Sequence, residues 1–412
     1  MSDLVEDFVA RYRAMRHTLP GDEARENAAR SFARGLPTMR DEAWHYTSLR
    51  PLGELTFAAA SDHADATALL ARAPRIDAPR LVFVAGRLRD DLSVRPDADG
   101  VSIGGASFGA LARPQTERLV ALNTMLAEDG ATMDVAAGVD GGAVVVLSLA
   151  PAAGGTPIAF HPRHRVRLAA GATLTLIEVS IGDGTYLHNP VWEIEVAEGA
   201  TLTHLRLQDE AAEAFHLSTL YADIAARGTY DSFALTLGGR LARLEVHARL
   251  GGPRAAAHLN AAQLLGGRQH ADFTTVVAHD APSCASRQTV KNVLTGRSRG
   301  VFQGRIEVAR VAQKTDGYQM TQALLLSPHA EIDSKPQLQI YADDVKCSHG
   351  CTVGELSPDQ LFYLRSRGIA EADARAMLVR AFLTEALDPI AHQSTRAAME
   401  AAVDAWWTRH AA

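Results

Sequence analysis

Cysteine is scarce in this chain, with three in 412 residues. So small and odd a number argues against a disulfide framework and fits a reducing compartment. Basic residues do not dominate: 41 Lys and Arg stand against 48 Asp and Glu, a net charge of −7. Nucleic acid is therefore not the expected main partner, because that footprint is a basic patch. No apolar run reaches the roughly 18 residues of a membrane span. The opening Met1-Ser2-Asp3-Leu4-Val5-Glu6-Asp7 also lacks the basic and apolar regions of a signal peptide. A cytoplasmic protein without membrane attachment is expected. Aromatics are only 6% of residues, yet 47% are hydrophobic, enough to build the cores of two or three domains.

Two of the three cysteines fall in one run, Lys346-Cys347-Ser348-His349-Gly350-Cys351. Thiols and imidazole are the ligands that iron, zinc and iron-sulfur clusters prefer. On an extended strand Cys347, His349 and Cys351 share one face, with the cysteine Cα atoms about 13 Å apart. A disulfide needs them within about 7 Å. Joint coordination of one ion by both thiolates is also strained, unless Gly350 turns the chain. His349 with one cysteine, completed by ligands from another chain, is the more economical partial site. The competing reading makes both cysteines small buried apolar residues and His349 a hydrogen-bonded side chain.

The first third reads as helical and mixed, with Phe8, Tyr12 and Met15 at helical spacing, a break at Gly35-Leu36-Pro37 and a short buried strand at Leu81-Val82-Phe83-Val84. An internal repeat then sets the fold expectation. Val166-Arg167-Leu168-Ala169-Ala170-Gly171-Ala172-Thr173-Leu174-Thr175 is matched 28 residues later by Ile194-Glu195-Val196-Ala197-Glu198-Gly199-Ala200-Thr201-Leu202-Thr203. Strict alternation returns at Phe233, Leu235 and Leu237, at Ala242 to Leu250, and at Leu338 and Ile340. Repeated strand-turn-strand units predict a parallel β-helix, a solenoid, in preference to a sandwich. In the last sixty residues, Ser357-Pro358-Asp359-Gln360 caps a helix, a second spans about Glu371 to Leu387, and a third reaches Trp406 and Trp407. The expected division is 1–130, N-terminal helical and mixed; 131–352, β-helix core; 353–412, C-terminal helical.

Other chemistry is less well supported. His279, Asp280, Arg287 and Lys291 surround Cys284 in sequence, but activating a thiol requires a base within hydrogen-bond reach. Gly296 to Gly304 holds no phosphate-binding loop, so nucleotide hydrolysis would belong to a partner. Arg243, Glu245, His247 and Arg249 read as the solvated face of a strand. Trp406 and Trp407 read as helix packing or a docking surface.

Three segments, Ser298 to Ile306, Ala312 to Gln319 and Ala330 to Leu338, together with Tyr341 to Gly350 and Asp359 to Gly368, resemble the SufB/SufD family. The resemblance is strongest from about His279 to Leu387 and recurs at Glu42 to Thr47. The Lys-Cys-Ser-His-Gly run and the absence of an early Cys-x-x-Cys place the chain on the SufD side of that family. The resemblance implies a right-handed parallel β-helix, mainly β, flanked by helical domains. It implies a non-catalytic scaffold subunit paired with SufB and carrying the ATPase SufC, with the last helices as the SufC dock. The complex would build iron-sulfur clusters from persulfide sulfur and iron. His349, accompanied by Cys347, would lie at the SufB interface as a ligand to iron or to a transient cluster. Reduced flavin is a further candidate ligand of the complex, and a homodimer is expected when partners are absent. Met320-Thr321-Gln322-Ala323 lacks the Asn-His-x-x-Cys pattern of SufB, which argues against a SufB-like sulfur acceptor. A purely structural subunit is the nearer rival. A carbohydrate-active β-helix enzyme is excluded by the family motifs.

Overall fold

A computed structural model describes residues 2–19, 21–61, 64–152 and 154–410. From about residue 130 to 354 nearly every residue is in a strand or the short turn between two strands. Each long strand pairs in parallel with the strand two along the chain, not with the next one. The result is a solenoid of about eight turns with a twelve-stranded and a ten-stranded sheet. Val166 stands opposite Ile194 and Leu174 opposite Leu202, so the 28-residue repeat is one coil. Their side chains, all at most 3% exposed, stack inward with Val246, Leu259 and Phe302 in one continuous core. Alternation thus has the cause the sequence suggested: in a strand every second side chain faces the interior.

One corner is built the same way in seven successive coils. Gly138, Gly171, Gly199, Arg227, Arg254, Ser283 and Lys314 all adopt positive φ, between 56° and 69°. The N–H of each of the first six donates to the carbonyl one residue before the next corner, as in Gly171 to Glu198 and Gly199 to Ala226, both at 2.9 Å, and that of Lys314 donates to Asp344. The left-handed conformation aims that donor along the solenoid axis, so the corner continues the ladder that the strands begin.

Both outer faces are covered. Residues N-terminal to the coils wrap the twelve-stranded sheet: the helix Arg118–Leu126 is almost entirely buried there. Its Asn123 and Thr124 accept hydrogen bonds from Arg163, whose Nη2 lies 2.5 Å from Glu193. Further along, Glu42 to Thr47 lies across four coils. Trp44 sits 4.1 Å under the Arg243 guanidinium, and Thr47 bonds Asp272 and, at 3.0 Å, His270. Ala43 accepts from Gln303 at 3.1 Å, and Glu42 pairs with Lys335 at 3.0 Å. This cover corrects one expectation. Arg243 and Glu245 are buried, paired 3.0 Å apart, with Arg243 also paired to Asp272, while only Arg249 of that row is exposed. A desolvated charge survives only when paired and hydrogen-bonded, and these are.

The ten-stranded sheet is covered by the helices Glu371–Leu387 and Gln393–His410. Val379, Leu383, Met399, Val403 and Trp406 form a second core with Leu205, Leu207, Phe233 and Leu264. Trp406, 1% exposed, is therefore a packing residue. Among the described residues no helix is long and apolar enough to cross a membrane.

Gly199 separates backbone strain from crowding, because a Cβ there would meet nothing within 4 Å. Gly199→Ala should cost about 1 kcal/mol from the left-handed conformation alone. At Gly238 a Cβ would lie 2.2 Å from the Glu210 carbonyl oxygen, so Gly238→Ala should cost clearly more. Urea midpoints of the two variants check the order; equal losses would contradict the corner argument.

Candidate functional site

Coil stacking satisfies each strand from both sides until the chain stops supplying coils. Glu331–Ile340 ends the twelve-stranded sheet and Val345–Gly354 ends the ten-stranded one, and no described strand pairs with their outer edges. Unpaired N–H and C=O rows of this kind are templates for another chain. Apolar side chains lie exposed on the same coil: Tyr341 at 69%, Val353 at 52% and Ile340 at 38%.

Cys347, His349 and Cys351 lie on this terminal strand. It runs extended through Gly350, so that glycine makes no turn and the two thiols stay far apart. In register Cys347 stands beside Gly317, His349 beside Gln319 and Cys351 beside Thr321. Gly317, Gln319 and Thr321 are buried and face the solenoid interior. The three candidate ligands therefore belong to the interior side of the wall. They are accessible only because no further coil covers them: Cys347 is half-buried, His349 and Cys351 exposed.

A row of polar side chains leads up to His349 from within. Gln288, bonded by Thr275 at 2.5 Å, stands beside Gln319, and Gln319 beside His349. Both amide atoms of Gln319 and the Nε2 of Gln288 are buried without a hydrogen-bond partner. Orphaned buried amides are costly and call for a partner. Burial, and the nearby Asp316 charge, push the Cys347 thiol above its ordinary pKa. The arrangement offers one thiol, one imidazole and a donor-acceptor amide on the interior side of the last described coil.

The other sequence candidates are placed differently. Cys284 is fully buried, its Sγ 3.2 Å from the Gly252 carbonyl, and burial raises its pKa, so it has no thiolate to offer. His279, lowered to about 4 by burial, bonds Ser286 at 2.9 Å. Sequence reasoning missed the orphaned Gln288 and Gln319, whose only signal was polarity at inward positions. It also missed a buried group of His188, Glu210 and His216 near the other end.

Residues 151–382 match the protein-family model described as "SUF system FeS cluster assembly, SufBD core domain". The iron-sulfur cluster assembly protein SufD of Escherichia coli is 35% identical over 374 residues, 89% of this chain and 88% of that protein. The chain belongs to the SufB/SufD family. A SufBD family protein of Synechocystis is 32% identical over 86% of this chain and 84% of its own length. One from Mycobacterium leprae is 32% identical over 54% of this chain and 58% of its own. The stretch matching the SufBD core includes the terminal coil and the helix Pro358–Ser366.

The three thiols, all free, should separate by reactivity toward a disulfide reagent near pH 8. Exposed Cys351 should react first. Cys347 should follow slowly and accelerate through pH 9, because its raised pKa leaves little thiolate below that. Cys284 should react only on unfolding. Equal rates for Cys347 and Cys351 at pH 8, read by peptide mass spectrometry, would contradict the placement.

Proposed function

We propose that this chain is a non-catalytic, SufD-like scaffold subunit in iron-sulfur cluster assembly, and that its terminal coil pairs with that of a SufB-type subunit. The single observation that carries the reading is the inward-facing pair Cys347 and His349 on a terminal strand whose outer edge no described strand pairs with. Neutral imidazole binds iron beside thiolate ligands, so His349 would hold iron or the nascent cluster, the cargo of the complex. Cys347 and the Gln319 amide would line the same space. Sulfur would arrive as persulfide on the partner. Two copies of this chain would meet through the same open edges when the partner is absent.

The ATPase of the complex, SufC, would dock on the C-terminal helices. The part free to do so is Pro358–Ser366, which has no buried residue and exposes Phe362 at 73% and Tyr363 at 56%. Its start is defined by Ser357, whose hydroxyl accepts from the Gln360 N–H at 3.4 Å. The two following helices share a core with the solenoid, so within the division at residues 130 and 352 this first helix is the docking element.

Co-expression with SufB-type and SufC-type subunits, then anaerobic reconstitution with iron and sulfide, separates the roles. His349→Ala should keep both partners while cluster absorbance falls severalfold. Phe362→Asp with Tyr363→Asp should lose the ATPase and keep the SufB-type subunit. These point variants are preferable to removing residues 356–410, which would strip the cover from Leu205, Leu207 and Phe233. A normal cluster yield from an intact His349→Ala complex would refute the ligand role. ATPase capture by the aspartate variant would refute the dock.

A further inference from the structure

Near the N-terminal end of the solenoid, three strands bring two imidazoles and a carboxylate together inside the wall. His188 ends the strand Tyr186–His188, Glu210 ends Thr201–Glu210, and His216 is the second residue of Phe215–Ile224. All three are buried, at 1%, 4% and 5% exposure. One ligand atom from each lies within 4.8 Å of the others. His188 Nδ1 is 3.2 Å from Glu210 Oε1, and His216 Nδ1 is 2.6 Å from Glu210 Oε2.

Hydrogen bonding within the group is incomplete: His188 Nε2 is buried without a hydrogen-bond partner, and His216 Nδ1 meets only the Glu210 carboxylate. Imidazole and carboxylate are both ligands of first-row transition ions.

The surroundings keep room for one. Gly182 stands beside Glu210 in the preceding coil, and a Cβ there would come 2.3 Å from the Tyr186 oxygen. Gly238 lies against the Glu210 backbone on the other side. Phe160 packs on His188 at 4.7 Å between ring centroids and walls the site on the solenoid's N-terminal side. Glu210 and Phe215 also line a partly open cavity of about 1130 Å³ beside the group.

We propose that His188, Glu210 and His216 bind a divalent first-row transition ion, held by two imidazoles and one carboxylate with a position open toward Tyr186. Two histidines and a carboxylate with free positions suit iron(II), and the same donors take zinc or cobalt. Bonds of about 2.0–2.1 Å at a tetrahedral ion set ligand atoms about 3.3 Å apart, so the His216 contact opens slightly on binding. This site lies several coils from His349, and its failure would leave the proposed scaffold role intact.

The test uses cobalt(II) alone on the full-length chain carrying Cys347→Ser, His349→Ala and Cys351→Ser, so that the terminal coil contributes no ligands. One equivalent should bind, with visible d–d bands of a four- or five-coordinate ion. Adding His188→Gln or Glu210→Gln should weaken binding about 100-fold. Crystals of the parent protein soaked in cobalt(II) should show anomalous density between the three side chains, a readout that does not depend on the variants folding. No binding to the folded parent, density elsewhere only, or undiminished affinity in a folded variant would overturn the proposal.

Discussion

Parallel pairing of each strand with the strand two along the chain is the constraint on which everything else rests. It satisfies backbone donors and acceptors only by adding the next coil, and each corner N–H reaches for the carbonyl of that coil in the same way. Such an architecture has no internal stop. The strands Glu331–Ile340 and Val345–Gly354 inherit the unsatisfied edge, and the chain places its cysteine and histidine there. The exposure of Cys347 and His349 is thus a consequence of where the ladder stops, and the proposed pairing with a second chain would satisfy the same open edge.

Coverage of the two outer faces follows a different logic. The ten-stranded sheet is closed by apolar packing from the last two helices. The twelve-stranded sheet is closed by an apolar core in which Phe8, Leu49, Leu119 and Leu122 meet Leu187, Phe215, Leu217 and Leu241, and beside it by buried charge: Arg163 with Glu193, and Arg243 with Asp272 and Glu245. Glu193 also accepts backbone N–H bonds from Gly109, Leu111 and Ala112 at 2.7 to 3.0 Å. Replacing one partner would leave a buried charge alone, which typically costs 3–5 kcal/mol, so these pairs hold the N-terminal cover in one register. Lys335, on the terminal coil, is reached by Glu42 of that cover. The N-terminal segment is therefore physically connected to the candidate site.

The fold was readable because its signals are local. A 28-residue repeat with Gly171 and Gly199 at equivalent corners, and alternation between them, requires no knowledge of distant residues. The terminal helices were readable from caps, notably Ser357. Arg243 and Glu245 were misread as solvated because what buries them, Trp44 and Thr47, lies some two hundred residues earlier. His349 stood out through its neighbours Cys347 and Cys351. Gln288 and Gln319 did not, since inward polarity in a strand becomes visible only once the register pairs them. His188, Glu210 and His216 were hidden more completely, being brought together by coil stacking across two sheets.

Hydrogen exchange of this chain, alone and bound to a SufB-type subunit, tests the central claim that the open end of the ladder is the joining surface. Slowing of amide exchange concentrated in residues 331–354, with little change in coils 163–250, is the predicted result. Unchanged exchange in 331–354 within a stable complex, or protection confined to another face, would contradict it.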